Sequence, residues 1–249
     1  MRHHPSIRVQ EWGNLVRIPL SPLKQGDWPQ PYQNPMVNAG AITTHSLVQG
    51  ASSKEKIDSV VRLYSELANR PLKINQAWRA TPRALSYALS YQMQHFGLLQ
   101  GDVEDTLQRY LLSNIVGVTT IDLAQMGATL AKGGIQPQTG KRVLKADTVR
   151  AVLSAMVTAG MYEDSGIWWT EVGLPAKSGV SGAILAVVPG WGAISAYSPR
   201  LDAAGNSVRS AAAIRELVEQ WRLHSFDRLI ATDRPMGSAP TIQHVRDMK

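Results

Sequence analysis

Hydrophobic periodicity changes once along this chain, close to Gly160, and the change limits the folds open to it. Before it, apolar residues recur at helical spacing. Ile57, Val60, Val61, Tyr64, Leu67 and Ala68 share one face behind Ser52 and Glu55, which have the spacing of a capping box. Residues 82–96 and 102–113 read as further helices, the second with Val103, Leu107, Tyr110 and Leu111 on one side. A helix also starts near Asn38, where small apolar residues allow backbones to approach closely. Thr120 is placed to cap a helix that Gly133 and Gly134 stop, and Val149, Val152, Leu153 and Met156 mark another after Asp147. After Gly160, residues 167–174, 182–188 and 192–198 are short, apolar and bounded by turns, which predicts three strands. An amphipathic helix from about Asn206 to Trp221 follows. Strands joined by tight turns pair antiparallel. Helices, then strands, then a helix therefore predict an α+β fold, a helical cluster beside an antiparallel sheet, and not a doubly wound sheet.

The two ends read differently from the middle. Residues 1–33 are expected to be irregular, with prolines at 5, 19, 22, 29 and 31. Residues 15–20 form at most a short edge strand there, because Pro19 cannot donate to a central ladder. Residues 34–222 make one domain, and residues 223–249 a polar tail with Pro235 and Pro240. Hydrophobic residues at 44% and charged residues at 18% exclude a disordered chain. No apolar run reaches about 18 residues, so no membrane-spanning helix is expected. Met1-Arg2-His3-His4-Pro5 is not followed by the apolar stretch of a secretory signal. The net charge of +7 is scattered, with local excess in Arg79 to Arg83 and in Arg215 to Arg234. Without a basic stripe carrying interleaved aromatics, it reads as a solvated surface and not as a nucleic-acid site. The absence of Cys excludes a disulfide framework and a Cys nucleophile, and fits a reducing compartment.

Few motifs carry chemistry unaided. None of His3, His4, His45, His95, His224 and His244 pairs at metal-ligand spacing, so no metal site is expected. No Gly-rich phosphate loop follows a strand and opens a helix. A serine nucleophile needs a base, and Ser-x-x-Lys supplies one because residues three apart share a helix face. Two matches exist. Ser21/Lys24 encloses Pro22 in a proline-rich stretch, and Ser53/Lys56 lies at a charged helix start. Either is as readily a chance pair. Lys177-Ser178-Gly179 is similar to the Lys-Thr/Ser-Gly strand-edge element of penicillin-recognising enzymes, where a cation and backbone donors meet an acyl group.

Longer segments resemble one family. Asn34-Pro-Met-Val-Asn38-Ala-Gly-Ala-Ile42 is similar to the Asn-Pro-x-x-Asn-Ala-Gly-Ala segment of the serine-dependent glutaminases. So are Ala128-Thr-Leu-Ala-Lys-Gly-Gly134, Gly140-Lys-Arg-Val-Leu144, Gly160-Met-Tyr162, Val172-Gly-Leu-Pro-Ala-Lys-Ser-Gly-Val180, Ala186-Val-Val-Pro189 and Ser198-Pro-Arg-Leu-Asp202 with Gly205-Asn-Ser-Val208. They are collinear and span residues 34 to about 222. The resemblance implies a β-lactamase/DD-peptidase-like fold that hydrolyses L-glutamine to L-glutamate and ammonia without metal or organic cofactor. It also implies a cytoplasmic homo-oligomer with no nucleic-acid or membrane partner.

The resemblance carries roles onto particular residues. Tyr162 falls at the family's catalytic tyrosine, beside the nucleophile. Tyr110 and Val180 fall at substrate-binding positions. Lys177, Ser178 and Asn14 are supporting candidates, Asn14 through Trp12-Gly-Asn-Leu15. Each has a plainer reading, Tyr110 and Tyr162 as packing residues and Val180 as a backbone position. Two family elements find no counterpart. The Ser-x-x-Lys lies several tens of residues before the Asn-Pro segment, and only 33 residues precede Asn34 here. The family's strands and nucleophile helix in that region are therefore expected to be missing. The family's glutamine-binding Glu and Asn align with Arg79 and Ser86, and no Asp or Glu occurs between residues 67 and 101. The chain thus reads as a truncated or degenerate glutaminase. A non-catalytic glutaminase-like binding or assembly protein is the alternative.

Overall fold

A computed structural model describes residues 6–11, 14–19, 34–77 and 84–227. Helices α1 (Asn38–Ser46), α2 (Ser53–Ala68), α3 (Ala84–His95), α4 (Val103–Asn114), α5 (Thr120–Ala131) and α6 (Ala146–Ala159) come first. A short 3-10 turn (Tyr162–Asp164) leads into α7 (Ser165–Glu171), and α8 (Val208–Trp221) closes the described fold. Strands β3 (Ala176–Ser178), β4 (Ala183–Val188) and β5 (Gly192–Tyr197) form an antiparallel sheet in the order β3-β4-β5. The α+β expectation holds.

Local chemistry accounts for most boundaries. The Ser52 side chain accepts from the Glu55 N–H, while Glu55 reaches back to the N–H of Ala51. The cap of α5 is Thr119, one residue before the expected Thr120, because Asp122 closes a full capping box with it. Arg70 then forks onto both oxygens of buried Asp122, at 2.6 Å each, and ties the end of α2 to the start of α5. Ser207 caps α8 by accepting from the Ser210 N–H, so that helix starts two residues later than read.

Two expectations are corrected. Residues 167–174 are not a strand. Ser165, Trp168 and Val172 are buried at three-and-four spacing while Ile167 is exposed, which is the pattern of helix α7, and the strand begins only at Ala176. A short apolar run does not distinguish the two states by periodicity alone. The N-terminal segment is also not wholly irregular. β1 (Ser6–Glu11) and β2 (Asn14–Pro19) pair antiparallel, with Ile7 opposite Ile18 and Val9 opposite Val16.

The sheet alternates as its period requires. Ile184, Ala186 and Val188 turn to a core with Ala211, Ile214 and Val218 of α8, Trp168 of α7 and Val172 just after it. Val187 turns the other way, onto Ala131 of α5 and Met156 of α6. α5 lies so close to the sheet that a Cβ on Gly127 would come within 2.5 Å of the Ala193 Cβ. A separate core joins Val37, Ala39 and Ile42 to Met93, Val103, Leu107 and Tyr110, uniting α1, α3 and α4. The molecule thus has a helical half and a sheet half, and among the described residues β5 is an edge strand of its sheet.

Candidate active site

The segment after Gly160 brings two of the candidate residues, Tyr162 and Lys177, together. Gly160 ends α6 against β3, where a Cβ would fall 1.8 Å from the Ala176 carbonyl oxygen, so no side chain fits. The Gly160 carbonyl instead accepts from the Ser178 N–H at 2.9 Å. Two residues on, Tyr162 takes the left-handed conformation, with φ of 56°. For a bulky residue this costs roughly 1–2 kcal/mol and persists only if neighbours enforce it. They do. The Ser165 hydroxyl donates to the Tyr162 carbonyl at 2.8 Å and accepts from the Met161 N–H at 3.0 Å. The Asn206 amide donates to the Met161 carbonyl at 3.3 Å. This brace aims a buried phenol at β3.

At β3 two donors converge. The Tyr162 hydroxyl donates to the Ser178 carbonyl at 3.1 Å, and the Lys177 amine donates to the same oxygen. The amine also lies 4.5 Å from the Tyr162 ring centroid, over its face. Burial lowers the Lys177 amine to about 8, and no carboxylate pairs with it among the described residues. Burial pushes the Tyr162 phenol up to about 12, with the nearby Tyr110 phenol adding repulsion. Tyr110, on α4, donates its hydroxyl to Asn38 Oδ1 of α1 at 2.7 Å. The helical half therefore delivers Tyr110, and the sheet half delivers Tyr162 and Lys177, to one place.

The remaining sequence-derived residues fall unevenly around it. Val180 is 43% exposed in the turn after β3. Ser178 is fully enclosed, opposite Ile184 of the core, and its Oγ has no hydrogen-bond partner among the described residues. Its carbonyl, not its hydroxyl, faces the site. Asn14 is in β2, opposite Glu11. Ser86 is half-buried in the first turn of α3, and Arg79 lies outside the described residues, as do Ser21 and Lys24. Ser53 is exposed at the start of α2, which does not make it a sheltered nucleophile. A groove of about 1180 Å3 runs along α2, past Lys54, Glu55, Arg62 and Arg70, but none of the candidate residues lines it. Sequence reasoning missed the bracing residues Ser165 and Asn206 and the Tyr110 partner Asn38. Asn38 and Asn206 both lie within the family-like segments, and only the fold shows what their amides hold.

The glutaminase family model matches residues 23–226. The chain belongs to the glutaminase family. A glutaminase of Corynebacterium glutamicum is 38% identical over 211 residues, covering 83% of this chain and 50% of the relative. One of Colwellia psychrerythraea is 42% identical over 196 residues, covering 78% and 63%. The crystal structure of Mglu in its native form superposes with a TM-score of 0.72 at 42% identity, over 80% of this chain and 48% of that one. The covalent complex between a Bacillus subtilis glutaminase and 5-oxo-L-norleucine gives 0.73 at 33% identity, over 80% and 71%. The chain thus spans about half the length of the Corynebacterium glutaminase it matches. The β-lactamase-like α+β fold of this family is the fold observed. No described helix is long and apolar enough to cross a membrane.

Proposed function

We propose that this chain carries the tyrosine–lysine half of a site that hydrolyses L-glutamine to L-glutamate and ammonia. The convergence of Tyr162 and Lys177 on the Ser178 carbonyl, with Tyr110 alongside, is the observation that carries the reading. Tyr162 moves the proton. Its raised pKa keeps it an acid at neutral pH, and a phenol held by one acceptor and a nearby cation can pass a proton to a departing amine. Lys177 supplies positive charge in a dry setting, where it stabilises negative charge developing on the amide oxygen more than it would in water. Tyr110 and the Val180 backbone contact the amino acid. No metal or organic cofactor takes part.

The attacking group is not among these residues, because the Ser178 hydroxyl is enclosed in the core. A Ser-x-x-Lys helix supplied from outside them is the natural source. The relative's covalent complex, formed by reaction with 6-diazo-5-oxo-L-norleucine, supports a route through an enzyme nucleophile. We also propose that the protein is cytoplasmic, which the absence of Cys favours, and homo-oligomeric, for which the β5 edge offers a surface.

Tyrosine-selective 13C NMR tests the reading on the chain as it stands. L-Glutamine should move the Tyr110 and Tyr162 signals, and D-glutamine should not. Signals unmoved at high millimolar L-glutamine would overturn it.

A further inference from the structure

Behind Tyr110 lies a buried polar cluster that the site description does not use. His45, on α1, is 8% exposed and Arg109, on α4, is 2% exposed. The Arg109 guanidinium donates to the His45 carbonyl at 2.5 Å, to Thr106 Oγ1 at 3.2 Å and to the Asp105 carboxylate at 3.1 Å. The His45 ring meets the Tyr110 ring edge-on, with centroids 5.9 Å apart. His45 Nε2 lies 3.0 Å from Ser113 Oγ, and Ser113 Oγ lies 2.7 Å from the Tyr110 carbonyl oxygen.

Proton counting fixes the tautomer. Two oxygens at 2.7 Å need a proton between them, and the serine owns the only one. That hydroxyl is therefore spent on the Tyr110 carbonyl and has none for the imidazole. Nε2 must be the donor, which leaves Nδ1 bare, and Nδ1 is indeed buried with no partner among the described residues. A second ring proton would sit unpaired beside the Arg109 cation. Around the ring, Arg109 and Tyr110 face it from α4, and Tyr64 of α2 reaches the same serine. Asp105 is engaged by Arg109. Burial and Arg109 both hold His45 down, to about 4, in agreement with the neutral form.

We propose that His45 is the positioning residue of Tyr110, acting as a neutral Nε2–H imidazole that orders Ser113 beneath the Tyr110 main chain and closes the edge of its ring. Asn38 holds the hydroxyl end and His45 with Ser113 holds the root, so the phenol has one orientation towards substrate. The proposal rests on Tyr110 being a glutamine contact, and its test separates the two. In the 249-residue chain, 15N NMR of the imidazoles between pH 6 and 7 should show His45 with Nε2 protonated and Nδ1 not. An Nδ1–H tautomer or an imidazolium overturns the proposal. His45→Leu removes the donor, and His45→Gln keeps an N–H donor near the position of Nε2. His45→Leu should shift the Tyr110 13C signal without ligand and weaken L-glutamine binding about tenfold, and His45→Gln should restore most of both. Ser113→Ala should reproduce the leucine result should that variant fold poorly. A Tyr110 signal indifferent to both His45→Leu and Ser113→Ala overturns the proposal whether or not L-glutamine binds. Absence of L-glutamine binding with the tautomer and Tyr110 shifts as stated would instead fault the glutamine reading.

Discussion

The two halves of this molecule hold their tyrosines by opposite means. In the helical half, Tyr110 stands on a regular helix with favourable backbone, and a polar cluster fixes it, in which Arg109 makes three bonds and Ser113 joins ring to main chain. In the sheet half, Tyr162 stands on a left-handed residue, and the neighbouring lysine is desolvated with no counter-charge among the described residues. One half spends little stability on orientation. The other accepts strain and an unpaired cation, as active sites do when position matters more than stability. The contrast predicts that removing the Lys177 charge should trade chemistry for stability, while removing His45 should lose both together.

The largest expected effect lies where the sheet half leaves no room. Gly160→Val places two extra branches where even a Cβ would meet the Ala176 carbonyl oxygen at 1.8 Å. It should cost about 4 kcal/mol or more, enough to unfold a marginal chain, read by urea denaturation. The same substitution at Gly166, where a Cβ meets nothing within 4 Å, should cost far less. Next comes chemistry. The 249-residue chain should release ammonia from L-glutamine no faster than its Tyr162→Phe variant, because the grouped residues hold no nucleophile. In a form completed by a Ser-x-x-Lys helix, Tyr162→Phe should lower turnover by about a hundredfold. Ammonia release by the chain alone, abolished by Tyr162→Phe, would show that the nucleophile is present.

Acid and alkali should probe the two halves separately. His45 has a pKa of about 4 folded against 6.5 unfolded, so the unfolded chain binds the extra proton between those values. Its contribution to stability is whole above pH 6.5 and lost as pH falls towards 4, on the order of 2–3 kcal/mol. His45→Gln should flatten the stability profile through that window. Lys177 is lowered too, to about 8 from 10.5, so its burial penalty is whole below pH 8 and disappears as pH rises to 10.5. Lys177→Met should therefore raise stability at pH 7 by on the order of 1–2 kcal/mol while weakening transition-state stabilisation. A Lys177→Met variant less stable than the parent at neutral pH would break the contrast between the halves.

The smallest effect concerns the sheet edge. From Gly192 to Tyr197, β5 carries neither charge nor proline, and its outer backbone groups are open in the described sheet. Such an edge templates pairing with another strand. Light scattering should show concentration-dependent self-association, and Tyr197→Lys at the 60% exposed end of the strand should reduce it. A monodisperse parent with slow amide exchange across β5 would mean the edge is already covered.

Sequence alone determined the parts whose cause is local. The period of α2, α4 and α8 follows from which residues are apolar, and the cap of α2 follows from Ser52 with Glu55, whereas the Ser207 cap of α8 showed only in the structure. The short apolar runs of β4 and β5 between tight turns specified an antiparallel sheet, and the segments from Asn34 to Val208 specified the family. Only tertiary structure decided the rest, because it depends on residues far apart in the chain. α7 reads as a strand until Trp168 and Val172 find one buried face. Ser178 reads as a site hydroxyl until its pairing with Ile184 turns it into the core. Tyr110 belongs to the helical core and Tyr162 is buried beside β3, and the low dielectric that shifts Tyr162, Lys177 and His45 exists only once both regions exclude water. His45 carried no signal at all as one histidine among six. Its role comes from a serine and an arginine on another helix, whose positions no local pattern encodes.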